Sequence, residues 1–111
     1  MRKIIVIGST RVLGLDRMGT PRVCGLRGLL VAAPWNGPLR YVATVRTGFT
    51  DHDRRRLPEV LGGRERSRPV VPCPYRGVWV QPSVLCQVNY LEWTRAGRLR
   101  GASFHSLITV S

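Results

Sequence analysis

The sequence contains very little lysine and few carboxylates. Lys3 is the only lysine, so almost all of the 18 basic residues are arginines, and with 6 acidic residues the formal net charge is +12. An arginine presents a planar fork of donors that matches phosphate oxygens. The charge excess therefore favours a polyanionic partner, nucleic acid first of all. Genome base composition is an alternative reason for the ratio of arginine to lysine, although it does not explain the net charge.

Metal ligands and long apolar runs are also scarce. Cys24, Cys73 and Cys86 form no C-x-x-C pair, and His52 and His105 are the only histidines. The spacing of a structural zinc site is therefore missing. An odd number of cysteines without a signal-peptide pattern predicts a reducing cytoplasm. No apolar run approaches the ~20 residues of a membrane-spanning helix, which predicts a soluble chain without a membrane partner.

The apolar pattern predicts a β-rich fold in one domain spanning residues 1–111. Apolar runs predict strands at residues 3–7, 28–33, 39–49, 77–80, 84–93 and 98–104. Residues 9–27 and 62–76 are rich in arginine, glycine and proline, which predicts two basic loops, the second one solvated. Thr50 is expected to cap a short helix that contains Pro58 and carries Leu57, Val60 and Leu61 on one side. The resulting expectation is an all-β chain with one short helix, an oligonucleotide-binding (OB) fold built as a small Greek-key β-barrel.

A basic hairpin is predicted near the end of the chain. Gly97 can adopt the positive φ that a tight turn needs, and a strand returns from it. On that strand Arg98 and Arg100 are expected on the face opposite Leu99, close to the ring of Trp93.

Two motifs carry a resemblance to a known family. The first is L-R-Y-V-A-T-V-R-T-G-F at residues 39–49, which Thr-Asp and the predicted helix follow. The second is V-W-V-Q-P-S-V-L-C-Q-V-N-Y-L-E-W-T-R-A-G-R-L-R-G-A-S-F at residues 78–104. In this order they resemble the C-terminal OB domain of bacterial ATP-dependent DNA ligases, especially the ligase module of end-joining enzymes.

The sequence departs from the family pattern at several positions. Gln87 stands where the family often has Glu, Ala102 where it has Pro, and His105 where it has Lys. Residues 108–111 fall where the family has its last nucleotidyltransferase motif, and residues 9–27 do not match the family's usual connection. Activity of this chain by itself is therefore not expected.

The resemblance also implies where the chemistry of ligation lies. The family's adenylating lysine belongs to a K-x-D-G motif in a separate domain, whereas Lys3 is followed by Ile-Ile-Val in a predicted strand. ATP and Mg²⁺ are implied for the full ligase only, and no cofactor is expected on this chain alone. Partners implied are duplex or nicked DNA and a separate adenylating ligase domain.

The resemblance implies that this domain contacts the DNA backbone. The candidate contact residues are Arg40, Arg46, Arg98, Arg100, His105 and Trp93. For each arginine the alternative is a solvated surface side chain, and Trp93 and Trp79 are aromatic residues on strands that more often belong to a core. Tyr41 and Phe49 share a face with Val45 in the predicted strand and are assigned to the core.

Three functions remain open on the sequence. The leading hypothesis is a ligase OB domain that engages nicked duplex DNA but lacks the adenylating lysine domain. The second is a subunit of a split ligase that acts with a separate nucleotidyltransferase chain. The third is a non-catalytic RNA-binding or structural OB protein.

Overall fold

The computed structural model describes residues 2–15, 18, 21–34 and 36–110 and confirms a β-rich fold with one helix. The elements are β1 (Arg2–Leu15), β2 (Pro21–Pro34), β3 (Leu39–Val45), α1 (Asp51–Leu61), β4 (Glu65–Arg66), β5 (Val78–Asn89), β6 (Glu92–Trp93), β7 (Leu99–Arg100) and β8 (Ser103–Val110). Among the described residues, no helix is both long and apolar enough to cross a membrane.

The strands form an antiparallel sheet that curls into a barrel. The order is β3-β2-β1-β5-β4, and β8 pairs with residues 84–89 of β5. The sheet closes where the amide of Phe104, at the start of β8, donates to the carbonyl of Thr47, just beyond β3, at 2.8 Å. This arrangement confirms the small Greek-key barrel that the sequence predicts.

Closure of the barrel requires a glycine at position 48. Gly48 has a φ of +89°, and a Cβ added there would come within 2.7 Å of the Phe104 amide nitrogen and still closer to the Phe104 carbonyl oxygen. Both contacts are with backbone, which cannot move aside without opening the junction. Position 48 therefore excludes larger residues for two reasons, the left-handed backbone conformation and the missing space.

The predicted basic loop at residues 9–27 is wrong over most of its length. β1 continues to Leu15 and β2 begins at Pro21, and the two strands pair as a long hairpin. Register shifts occur at Thr10/Arg11 and at Val12/Leu13. A register shift leaves a residue unpaired, and a hairpin with several shifts lacks the regular alternation on which a strand prediction depends. Of the connection at 16–20, the structure describes only Met18, so the rest of the predicted loop lies outside the described residues.

Helix α1 starts and packs as predicted. Thr50 accepts a hydrogen bond from the Asp53 amide at 3.1 Å, and the Asp53 carboxylate accepts one from the Thr50 amide at 2.9 Å. Leu57 and Leu61 are buried in the main core inside the barrel, and Val60 is partly buried against it. The helix thus packs on the main core and contacts β2.

One arginine of the Arg54–Arg56 run on α1 makes contacts with the rest of the fold. The Arg54 guanidinium donates to the Leu26 carbonyl at 2.9 Å and lies 5.3 Å from the centre of the Phe49 ring. That ring stacks on Phe104 at 4.9 Å. Arg54, although exposed like Arg55 and Arg56, therefore connects the helix to β2 and to the closed end of the barrel.

A second apolar cluster lies apart from the main core. Its buried members are Ile7, Leu30, Ala32 and Tyr41. The loop before β5 packs on it through Val70, Val71 and Cys73, and Trp79 also contacts it. The predicted solvated loop at 62–76 therefore covers apolar surface over part of its length, and its residues 65–66 form β4.

Tyr41 belongs to this second cluster and Val45 to the main core, so the two residues do not share an apolar environment. In the pairing of β2 with β3, Val31 is opposite Ala43 and Ala32 is opposite Tyr41, so the register shifts between these two pairs. Such a bulge reverses the faces of the residues beyond it. The assignment of Tyr41 to buried packing is confirmed, but its face is corrected.

The predicted strands at 77–80 and 84–93 are one continuous strand that ends at Asn89. The register of β1 against β5 passes from Val6/Val84 to Gly8/Trp79, so a bulge containing Pro82 bridges the two predicted pieces. The predicted strand at 98–104 is divided into β7 and the start of β8, with Gly101 and Ala102 between them. β8 continues beyond Phe104 to Val110, which pairs with Val84.

Candidate nucleic-acid interface

The predicted basic hairpin is present between β5 and β8. Strands β6 and β7 pair Trp93 with Leu99. The Thr94 amide donates to the Arg98 carbonyl at 2.8 Å, and Gly97 adopts a φ of +76° in the turn. The positive φ expected for Gly97 is confirmed, because only a residue without Cβ takes this conformation readily.

The hairpin packs against β3 and leaves a groove of ≈ 470 Å³ between them. The lining residues are Tyr41, Val42, Ala43, Thr44, Arg46, Thr47, Tyr75, Arg98, Leu99, Gly101 and Ala102. One wall is strand β3 and the other is the hairpin with the residues after it. The Thr47–Phe104 hydrogen bond that closes the barrel fixes the distance between these walls at one end.

Arg98 occupies the centre of this region. Its guanidinium lies 5.1 Å from the centre of the Tyr41 ring. Arg98 and Tyr41 also line a second cavity of ≈ 350 Å³ with Arg40 and Pro72. The two cavities thus adjoin at the same pair of side chains, and the structure brings together three of the four arginines predicted as DNA contacts. We call the two cavities together the arginine groove.

The arginine groove carries uncompensated positive charge. Among the residues that line its two cavities there is no carboxylate. Within the described part of the chain, Arg40, Arg46 and Arg98 form no ion pair with an acidic side chain. Three guanidiniums without a carboxylate partner attract an anion with several phosphates.

Two tyrosines give the groove an aromatic floor that sequence reasoning missed. The Tyr41 hydroxyl and the Thr44 hydroxyl are hydrogen-bonded at 2.7 Å, and the Tyr75 ring lies 5.7 Å from the Tyr41 ring at 58°. Burial raises the pKa of Tyr41, against the lowering effects of the Thr44 hydrogen bond and of Arg98. The phenol therefore stays neutral in the physiological range. The only sequence signal for Tyr75 is an aromatic residue in a proline-rich basic loop.

The remaining predicted contact residues lie outside the arginine groove. Arg100 forms an ion pair with Glu92 at 2.9 Å, with both side chains exposed. Trp93 is partly buried against the main core and meets Tyr90 edge-on at 6.3 Å. His105 is exposed on β8 and lines neither cavity. Their role in DNA contact stays a prediction.

The described residues include no cluster of metal-binding side chains. Among them no group of three or more His, Cys, Asp or Glu side chains could hold a metal ion. Burial raises the pKa of the Cys86 thiol to about 12, so this sulfur stays protonated and acts as a small apolar side chain.

The chain matches a family model and several curated proteins. Residues 22–109 match the model described as the ATP-dependent DNA ligase C-terminal region. The multifunctional non-homologous end joining DNA repair protein LigD of Mycobacterium tuberculosis is 34% identical over 92 residues, which is 78% of this chain and 12% of that protein. The LigD of Pseudomonas aeruginosa is 37% identical over 75 residues, which is 62% of this chain and 9% of that protein. The chain therefore spans only a small part of the length of these relatives.

Solved structures of ligase domains share the fold. The crystal structure of the ligase domain of M. tuberculosis LigD matches with a TM-score of 0.78 at 26% identity, over 96% of this chain and 34% of that one. A mycobacterial DNA ligase D complexed with ATP and MES matches with a TM-score of 0.72 at 25% identity over the same shares. The agreement confirms the OB-type fold. By sequence and by fold, this chain belongs to the family of C-terminal regions of ATP-dependent DNA ligases.

Proposed function

We propose that this chain is the DNA-binding domain of an ATP-dependent DNA ligase of end-joining repair and that it engages nicked duplex DNA through the arginine groove. The observation that carries the proposal is the meeting of Arg40, Arg46 and Arg98 in a groove without carboxylates. The relatives whose names describe end joining support the repair context.

The position of the groove in the fold supports nucleic acid as the ligand. OB barrels have five main strands, which here are β1, β2, β3, β5 and β8. They bind oligonucleotides on the face of the second and third of these strands and at the loop between the fourth and fifth. Here β3 forms one wall, and the hairpin inserted between β5 and β8 forms the other. The arginines thus lie where this fold commonly places its ligand.

Each arginine has a distinct way to contribute. Arg40 and Arg46 flank the stretch of β3 that lines the groove and are exposed, so both can reach backbone phosphates. Arg98 stacks on Tyr41, which limits the rotation of the guanidinium before DNA arrives and reduces the entropy lost on binding. These contacts would position the duplex without reading its sequence.

Joining of the strands requires a second domain in this proposal. The adenylating lysine, ATP and Mg²⁺ would belong to that domain, and this chain would hold the nicked duplex against it. A separate adenylating ligase domain is therefore the expected protein partner.

The proposal is tested with a labelled nicked duplex and fluorescence anisotropy over a salt series. The triple variant R40A/R46A/R98A is compared with R55A/R56A/R95A, which removes the same charge from exposed arginines outside the groove. We expect the groove variant to lose about 100-fold in affinity and to flatten the slope of log K against log salt by roughly 2 to 3, since each phosphate contact contributes about 0.9. The control variant should lose only a few-fold.

Equal losses in the two variants would show that diffuse charge, and not the groove, binds DNA. No binding of the unmodified chain at low salt would overturn the DNA-binding function. A matched RNA duplex is the third arm, and tighter binding to RNA would favour an RNA-binding OB protein instead.

A further inference from the structure

Tyr75 is the exposed aromatic side chain of the arginine groove. Its side chain is 51% exposed, and the other large apolar residues that are similarly exposed in the described chain, Met18, Leu91 and Ile108, line neither cavity. Its ring centre lies 5.7 Å from that of Tyr41 at an interplanar angle of 58°, and the Arg98 guanidinium lies over the Tyr41 ring. An exposed aromatic side chain therefore lines the same cavity as two guanidiniums, those of Arg46 and Arg98.

The loop that bears Tyr75 is anchored on both sides of it. Before it, Val71 and Cys73 pack on the second apolar cluster. After it, Gly77 fits so closely that an added Cβ would lie 2.6 Å from a Leu30 side-chain carbon and 2.9 Å from the Ser9 carbonyl oxygen. Pro72 and Pro74 further restrict the backbone between these points. The backbone that bears Tyr75 is thus restrained on both sides before a ligand binds.

An anchored aromatic ring among arginines is the arrangement that binds unpaired nucleotides. The guanidiniums follow the phosphates while a base stacks on the ring, which contributes about 1 to 3 kcal/mol per base. A base inside an intact duplex has both of its faces covered by neighbouring bases, so it cannot stack on a protein ring. Only a base that has left the helix, or one in a single-stranded tail, can do so.

We infer that Tyr75 is a stacking platform for an unpaired nucleobase and that the arginine groove accepts a DNA end with an unpaired tail in addition to paired duplex. The inference rests on the proposed DNA-binding function and adds a class of substrate to it. Tyr75 would discriminate frayed or tailed ends from fully paired ones, because a paired end offers it phosphates but no free base.

Three duplexes separate this role from simple charge attraction. One is fully paired and nicked, the second carries a short single-stranded tail, and the third carries a tail of the same length made of abasic sites. The abasic tail presents the same phosphates without bases. Binding of the unmodified chain, Tyr75→Ala and Tyr75→Phe is measured by fluorescence anisotropy at one salt concentration, with circular dichroism to show that each variant is folded.

We expect the unmodified chain and Tyr75→Phe to bind the natural tail about 5- to 50-fold more tightly than the abasic tail. Tyr75→Ala should remove that difference while its affinity for the paired nicked duplex changes less than twofold. Leu91→Ala is the matched control, an exposed apolar residue outside the groove, and should change neither.

Equal binding of the natural and abasic tails by the unmodified chain would overturn the inference, as would an undiminished difference in Tyr75→Ala. Either result with normal binding of the paired duplex leaves the proposed function standing, whereas loss of binding to all three duplexes counts against that function itself. A tail of RNA in place of DNA distinguishes the two sources of an unpaired base, and a clear preference for RNA would overturn DNA as the ligand.

Discussion

Arg54 and Arg98 make the same kind of contact in two regions of the barrel with different results. Arg54 lies over Phe49 at 5.3 Å and Arg98 over Tyr41 at 5.1 Å. At the closed end of the barrel, the Arg54 guanidinium also donates to the Leu26 carbonyl at 2.9 Å. In the arginine groove, the Arg98 guanidinium forms no hydrogen bond to another residue of the described chain.

The two arginines differ in whether the N–H groups of the stacked guanidinium have an acceptor within the protein. A stacked guanidinium still has N–H groups in its plane. Those of Arg54 are used partly within the fold, so this residue contributes to stability. Those of Arg98 point to no protein acceptor among the described residues and remain for a ligand. Aromatic stacking alone therefore does not separate a structural arginine from the proposed binding residue, whereas the hydrogen bonds of the guanidinium do.

The largest expected effect comes from the residue that joins the two regions. Gly48 lies between Thr47, which lines the groove, and Phe49, which carries Arg54. Gly48→Ala combines a disfavoured φ of +89° with a clash against the Phe104 backbone. We expect it to lower the free energy of unfolding by roughly 3 kcal/mol or more, measured by denaturant unfolding, and to weaken DNA binding as well.

The matched control is Gly63→Ala. Gly63 also has a positive φ, +80°, but an added Cβ would meet nothing within 4 Å. The strain alone should cost about 1 kcal/mol. Equal losses in the two variants would mean that the junction with Phe104 does not hold the groove and the closed end together.

Arg54→Ala should affect stability and not DNA binding. It removes the hydrogen bond to the Leu26 carbonyl and the contact with Phe49, and we expect the free energy of unfolding to fall by about 1 to 2 kcal/mol. Arg55→Ala, on the exposed face of the same helix, should change it by less than about 0.5 kcal/mol. A loss of DNA affinity in Arg54→Ala beyond that in Arg55→Ala would contradict the division of roles.

Arg98→Ala should show the opposite behaviour. We expect about a tenfold loss of affinity for nicked duplex, from one lost charge-assisted contact, and a stability loss of only about 0.5 to 1 kcal/mol, from the lost contact with Tyr41. Arg98→Lys keeps the charge but not the planar stack, so its affinity should be intermediate. Arg95→Ala, in the turn of the same hairpin, is the control for charge. Thermal unfolding and anisotropy measured on the same samples check both quantities.

The sequence predicts those parts that depend on local pattern. The alternation in β5, the Thr50–Asp53 capping box and the positive φ of Gly97 are each set by a few neighbouring residues, and each is confirmed. The resemblance names Arg46 and Arg98 as contact residues, but no local pattern predicts that they line one cavity, since the two lie on different elements.

What the sequence could not predict depends on bulges and on distant packing. The register shifts in β1 hide the period of the first hairpin, and the bulge in β3 turns Tyr41 away from the main core. Two further contacts join residues that are far apart in the chain. They are the hydrogen bond from Arg54 to the Leu26 carbonyl and the ring contact between Tyr75 and Tyr41. No periodicity within either segment reports such a contact.

The smallest expected effect concerns Arg100, the predicted contact residue that has an acidic partner. Glu92→Gln removes the carboxylate that the Arg100 guanidinium contacts at 2.9 Å. Because both side chains are exposed, the pair contributes little to stability, and we expect the free energy of unfolding to change by less than about 0.5 kcal/mol. The freed guanidinium should raise the affinity for nicked duplex about twofold if it lies at the DNA, an effect that salt should diminish. Glu59→Gln makes the same change of charge on α1, outside the groove, and an equal gain in both variants would show that net charge alone is responsible and that Arg100 does not contact the duplex.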